Sequence, residues 1–210
     1  METFMEDCGL PLVLASASPR RKALLASMGI EFEVIISNVK EVDIGATPTT
    51  LVEENATNKC NEVISRLSYP AVVISADTLV FCDGEVLSKP CNLNEARSML
   101  QRLSGNTHQV ITGIAVANTA DGRKACGSET TDVTFRTLTE EEINTFIRVV
   151  NPIDRAGAYT VDGPGSLLVS RYDGCYYNVL GLPIVRLDKL LRKVGVFLFK
   201  RIRDDHAIFL

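Results

Sequence analysis

The sequence predicts an α/β fold, and three observations carry that reading. Ala71-Val72-Val73-Ile74 is an unbroken apolar run of the length of a buried strand. Pro11–Ala15 (PLVLA) is a short apolar strand that passes through a polar turn straight into an amphipathic helix. Asp83-Gly84 and Asp121-Gly122 stand between β-rich stretches and mark hairpin turns.

Each element has its own local signal. After Pro11–Ala15 comes Ser16-Ala17-Ser18-Pro19-Arg20-Arg21-Lys22, where Ser18 fits an N-cap and Pro19 the first helical position. That helix carries Ala23, Leu24, Leu25 and Met28 and ends at Gly29-Ile30. Phe32–Ile36 reads as a second strand, and Ser37–Thr50 as a polar loop holding Glu41 and Asp43. Thr50–Leu67 is helical, with Leu51, Val52, Ala56, Val63 and Ile64 on its apolar stripe and Lys59 within it. The buried run at 71–74 ends at Asp77-Thr78; a second β piece, Leu79–Cys82, enters the Asp83-Gly84 turn, and Glu85-Val86-Leu87 returns to Ser88-Lys89-Pro90. Asn94–Leu103 is a helix, Gln109–Ala117 a strand, and Thr130–Arg136 its alternating return strand. Thr139 and Glu142 form a capping-box pair before Ile143, Phe146 and Ile147. Asp154–Gly165 is glycine-rich, Leu167–Val169 a strand, Arg171–Tyr177 a turn with two tyrosines, and Ile184–Val194 an amphipathic helix. The chain reads as one domain over 1–210, with a core at 12–194 and a basic, apolar tail at 195–210.

Composition narrows the function classes. With 46% hydrophobic and 23% charged residues in 210, the chain has the balance of an ordinary globular protein. A net charge of −4 and a pI of about 5.3 argue against a broad nucleic-acid-binding face. The six cysteines form no CxxC pair and no secretory signal pattern is present, so reduced thiols and a cytoplasmic location are expected. No apolar run reaches membrane-spanning length. Two histidines leave little material for a histidine metal centre or triad.

Two places suggest phosphate chemistry. The turn before the first helix joins free N–H groups and a partial positive charge to two serines and two arginines, a setting for phosphate oxygens without the Walker A pattern. Asp77 stands after a buried strand, with Lys89 twelve positions on across a hairpin. A carboxylate near a cation suits a water-activating base beside a phosphate ligand; an edge hairpin with a solvated Asp and Lys has the same sequence. Glu41 and Asp43 suit a divalent cation with phosphate, or simply solvate their loop. Lys59 has no role that can be argued locally.

The chain resembles the Maf family of nucleoside triphosphate pyrophosphatases. The matching blocks are LASASPRRKALL (14–25), ENATNKC around Lys59, SADTLVFCDGEVLSKP (75–90), RLSGNTHQVITGIAV (102–116), TDVTFRTLTEEEI (131–143), DRAGAY (154–159) and YYNVLGLPI (176–184). The resemblance implies a Maf/ITPase-like fold: a mixed, twisted sheet with helices, in two lobes around a central cleft. It implies hydrolysis of a nucleoside triphosphate to the monophosphate and pyrophosphate, a divalent cation (Mg2+ or Mn2+), and a homodimer, with no nucleic-acid or membrane partner. Carried over by position, Asp77 matches the proton acceptor. Ser16, Ser18, Arg21, Lys59 and Lys89 match phosphate-binding groups, and Glu41 an acid near the metal. Arg20, Thr78 and Asp162 match positions that set base preference. The TDVTFR and AGAY blocks resemble the branch acting on dTTP and UTP. That branch carries glutamine where this chain has Asp162, and a carboxylate facing a base leans toward guanine-type nucleotides, GTP or 7-methyl-GTP. The blocks outweigh the single residue, so dTTP and UTP are expected. A nucleotide-binding regulator of cell division is the non-catalytic alternative; it needs the cations but not Asp77.

Overall fold

The apolar run at 71–74 becomes the centre of a sheet. The structure, a computed structural model, describes residues 6–42 and 47–207; Asp43 of the polar loop lies outside them. In order the chain forms β1 (Leu12–Leu14), α1 (Pro19–Ser27), β2 (Met28–Ile30), β3 (Glu33–Val34) and α2 (Pro48–Arg66). β4 (Val72–Cys82), β5 (Glu85–Leu87), α3 (Leu93–Leu103), β6 (Thr107–Asn118) and β7 (Lys124–Phe135) follow. α4 (Glu140–Val150), β8 (Val169–Asp173), α5 (Tyr176–Val179), α6 (Ile184–Lys193) and β9 (Ile202–Ala207) complete it. The caps read from the sequence are present. Ser18 accepts from the Arg21 backbone N–H, and both reciprocal bonds of the Thr139–Glu142 capping box form. Such a cap contributes about 1 kcal/mol.

The sheet is mixed. Its order is β3-β1-β4-β6-β7-β8, with β5 also paired to β4. β1 runs parallel to β3 and β4, whereas β4, β6, β7 and β8 are successively antiparallel. Alternation along β1 divides the core: Leu12 and Leu14 point to a cluster with Leu25, Ile74, Leu187 and Leu191, and Val13 to one with Ala56, Val63 and Val73. The other ends of the long strands, with α3 and α4, close over a further cluster around Phe135, Leu100 and Ile143. The first two clusters, on either face of β1, belong to one lobe and the third is the core of the other.

Three elements differ from the sequence reading. The two β pieces around Asp77 and Thr78 are one strand of 11 residues, so Asp77 is in mid-strand, not at a strand end. The cause is β6, which pairs β4 without a break from Val72↔Asn118 to Phe81↔Gln109. The strand expected at 167–169 begins only at Val169, because Gly163–Leu167 winds as a 3-10 turn, and it runs to Asp173, into the stretch expected to be a turn. Residues 28–30, expected only to end a helix, form β2, which pairs with β9 from the tail.

On the edge of β4 opposite β6, β1 ends at Leu14↔Ile74 and β5 begins at Val80↔Leu87. Residues 75–79 therefore have no strand partner on that edge among the described residues, and the turn after β1 enters beside them, with Ala15 N–H on the Ile74 carbonyl at 2.7 Å. α2 crosses the sheet at Gly113, the residue paired with Asp77. A Cβ on Gly113 would lie 2.4 Å from the Val52 carbonyl carbon and oxygen. Gly113→Ala should push α2 off the sheet, lowering the melting temperature by about 2–10 °C. An unchanged melting curve would mean the helix does not need that close approach.

Candidate functional site

The open stretch of β4 is the floor of a cleft of about 370 Å³. The turn from Ser16 to Arg21, with its helix N-terminus, forms one wall. Arg21 is 9% exposed and ties that wall to its surroundings: Nε donates to the Gly181 carbonyl at 2.8 Å, Nη1 to Ser16 Oγ at 3.1 Å and Nη2 to Thr78 Oγ1 at 2.9 Å. Burial lowers the guanidinium's pKa; the charge of Asp77 works against that. Ser16 Oγ also accepts from the Ser18 N–H at 3.2 Å, so the turn is bonded to itself.

Asp77, 8% exposed, is held from two sides. Lys59 Nζ reaches its Oδ1 at 2.7 Å and Asn55 Nδ2 its Oδ2 at 3.1 Å. Both partners come from α2, one turn apart, and point the same way as residues at i and i+4 do. Lys59 Nζ also meets Glu41 Oε1 at 2.5 Å. Asn55 fixes the Glu41 loop as well, accepting from the Val42 N–H at 2.8 Å and donating to the Val42 carbonyl at 3.0 Å. Burial pushes the Glu41 carboxyl up, but the hydrogen bond and charge of Lys59, with Lys89 and Arg21 behind it, hold it below its ordinary value. Glu41 and Asp77 thus aim oxygens at one positive centre. Both carboxylates keep lone pairs beyond their bonds to Lys59, and hard oxygens of this kind suit a divalent cation that takes its other ligands from phosphates and water. No group of three or more His, Cys, Asp or Glu with metal-binding geometry exists among the described residues, so these two would be the protein's share.

Lys89 and Arg20 also line the cleft; Lys89 is exposed and forms no ion pair among the described residues. Thr78 lines it beside Asp77 and is linked through Thr112 at 2.9 Å. Asp162 does not line it. Its side chain is 56% exposed and turned back onto the Thr160 hydroxyl, with Arg155 Nη1 at 3.9 Å. The structure therefore brings together Ser16, Ser18, Arg20, Arg21, Glu41, Lys59, Asp77, Thr78 and Lys89, and sets Asp162 behind them.

The opposite wall was not legible as a wall. Val80, Val110, Tyr159 and Val161 belong to the second lobe's core and turn one side to the cleft, with Thr160 between the last two. Asn55 was missed too. Its only sequence signal is a polar residue on the apolar side of α2, where Leu51, Val52 and Ala56 are buried.

These features define a class: an α/β protein whose split sheet edge holds a cation-lined cleft around a buried carboxylate. Residues 11–194 match the Maf-like protein family, and the chain belongs to it. It is 44% identical to the dTTP/UTP pyrophosphatase of Caldicellulosiruptor bescii, over 90% of this chain and 97% of that one. Identity is 43% with the dTTP/UTP pyrophosphatase of Clostridium perfringens strain 13 (89% and 98% covered) and 45% with that of Bacillus pumilus (88% and 97%). Among solved structures, the Staphylococcus aureus Ham1 protein gives a TM-score of 0.44 at 17% identity, over 60% of this chain and 71% of that one. No helix among the described residues is long and apolar enough to cross a membrane.

Tyr159 is anchored from behind by His108, whose Nε2 is 2.7 Å from the phenol oxygen. The two rings and Phe135 meet edge to face, with centroids 4.9 to 5.3 Å apart. Burial pushes the His108 pKa down to about 4. An unfolded histidine titrates near 6.5, so between about pH 6.5 and 4 the unfolded chain binds the proton and the native one does not. Stability from this site is present above that window and is lost as pH falls through it. His108→Gln should weaken that pH dependence while lowering the melting temperature at pH 7. Parallel melting profiles for variant and wild type between pH 7 and 4 would refute it.

Proposed function

We propose that this chain is a nucleoside triphosphate pyrophosphatase that hydrolyses dTTP and UTP to the monophosphate and pyrophosphate. The observation that carries the reading is the buried Asp77 carboxylate, fixed by Asn55 and Lys59 in a cleft whose other charged groups are mostly cations. Each Asp77 oxygen accepts one bond from the protein and keeps a lone pair for water. Asp77 takes the proton as the water oxygen bonds to the α-phosphorus and the bond to the bridging oxygen breaks. The negative charge passes to the departing pyrophosphate, which Lys59, Lys89 and the N–H groups at the start of α1 receive. Arg21 keeps a free N–H on each Nη after its three protein bonds, enough to touch a phosphate while holding the turn. Bound to Glu41 and Asp77, a Mg2+ or Mn2+ ion would neutralise phosphate charge and acidify coordinated water. The names of the relatives support dTTP and UTP as substrates. The position of Asp162 supports the same choice, because a carboxylate turned back onto Thr160 offers no paired acceptor to guanine. Six free thiols are in keeping with the cytoplasm. Exposed Leu167, Tyr176 and Tyr177 beside edge strand β8 supply an apolar surface for the homodimeric part of the reading.

Phosphorus NMR of the reaction with UTP should show pyrophosphate and UMP. Asp77→Asn should lose about 10²–10⁴ in kcat and still bind UTP. Orthophosphate with UDP would make the chain a different phosphohydrolase, and near-normal turnover by Asp77→Asn would leave it without its base. Arg21→Ala and Lys89→Ala should weaken every triphosphate about equally, since phosphate contacts carry no base information.

A further inference from the structure

We infer that Thr160 reads the base, as a hydrogen-bond acceptor whose polarity is set by Asp162. The inference rests on the pyrophosphatase reading of the same cleft. Thr160 lines the cleft and is 8% exposed. Its hydroxyl has one proton, and that proton goes to Asp162 Oδ1, since a carboxylate only accepts. What Thr160 Oγ1 keeps is lone pairs. No other donor of the described residues occupies them. The loop is locked in this arrangement. A Cβ on Gly165 would lie 1.8 Å from the Thr160 carbonyl oxygen and 3.1 Å from its methyl carbon, and Gly165 N–H closes on the Asp162 carbonyl at 3.1 Å. Arg155 Nη1 stands 3.9 Å from the same Asp162 Oδ1.

The position suits a base. Most charged groups of the cleft come from the first turn of α1 (Arg20, Arg21), α2 (Lys59), β4 (Asp77) and the loops holding Glu41 and Lys89. Thr160 is on the opposite wall between Tyr159 and Val161, with Val80 and Val110 close in the same core cluster. An apolar stretch with one polar atom is how a flat heterocycle is oriented; the acid of the same segment that lines the cleft, Asp154, is exposed and faces Arg155 at 3.5 Å. An acceptor there selects a ring nitrogen that carries hydrogen. N3 of uracil and thymine does; N3 of cytosine does not, and would face Thr160 lone pair to lone pair. Asp162 thus acts on the base through Thr160, as a positioning residue.

The test measures affinities for α,β-imido-UTP and α,β-imido-CTP by calorimetry and, separately, kcat/KM for UTP and CTP. The variants are Thr160→Val, Thr160→Ser and Asp162→Ala. Thr160→Val keeps the shape and should cut the UTP-to-CTP ratio about tenfold, chiefly in KM. Thr160→Ser should keep the wild-type ratio. Asp162→Ala removes the acceptor, frees the hydroxyl proton toward the cleft, and should shift the ratio toward CTP. If the binding ratio follows the hydroxyl but UTP is not turned over to pyrophosphate, the inference stands and the pyrophosphatase reading falls. If UTP is turned over and Thr160→Val leaves the ratio within twofold of wild type, Thr160 does not read the base. An Asp162→Ala variant with the wild-type ratio would likewise overturn the polarity set by Asp162.

Discussion

The burial of one carboxylate in the middle of a strand constrains most of what surrounds it. A carboxylate at that depth is costly unless charge and hydrogen bonds compensate it. Lys59 and Asn55 do so, and both ride on α2. They reach Asp77 only because α2 lies hard against β6, and it can lie there only because position 113 has no side chain. The same two residues draw in the loop before α2, through Glu41 and Val42. A helix, a glycine and a loop are thereby tied to one side chain. The arrangement leaves the carboxylate accessible because β1 and β5 share an edge of β4 without meeting.

A second network fixes the turn between β1 and α1 to the far lobe. Arg21 joins Ser16 to Gly181 and Thr78. Thr78 continues to Thr112, and Thr112 to the Asn178 carbonyl at 3.2 Å. Asn178, fully buried, donates to the Val110 carbonyl at 2.8 Å and to Thr131 at 2.9 Å. The chain of bonds crosses three strands of the sheet and ends at α5. A buried network of this kind is expensive when broken in the middle, since each remaining group keeps its desolvation cost. It gives the cleft two walls that hold their spacing without a ligand.

The walls divide the chemistry. One brings guanidinium, ammonium and helix N–H groups, which attract oxygen anions irrespective of what they are attached to. The other is the exposed side of a hydrophobic core, where the Tyr159 hydroxyl is turned back onto His108 and the Thr160 hydroxyl is bonded to Asp162. Tyr159 is kept in that wall by His108 and Phe135, so its face toward the cleft is as rigid as the core behind it.

Local chemistry was legible in the sequence because it acts over a few residues. Ser18 with Pro19, Thr139 with Glu142, and Asp83-Gly84 satisfy or bend neighbouring backbone, so their pattern is their structure. The resemblance carried by the blocks supplied the identities of the cleft residues, and the fold and family agree with it. Other features were decided by contacts between distant segments. Lys59 is a helix lysine with no local mark of burial; Asp77, 18 positions away, gives it a partner. Asp77 was expected at a strand end because the apolar run stops there, but β6 pairs straight past it, and backbone pairing is indifferent to the side chain it carries. The turn of Asp162 away from the cleft depends on Thr160, Arg155 and Gly165 closing one loop. Which way a short polar side chain points is settled by its partners in space, and a sequence does not state who those are.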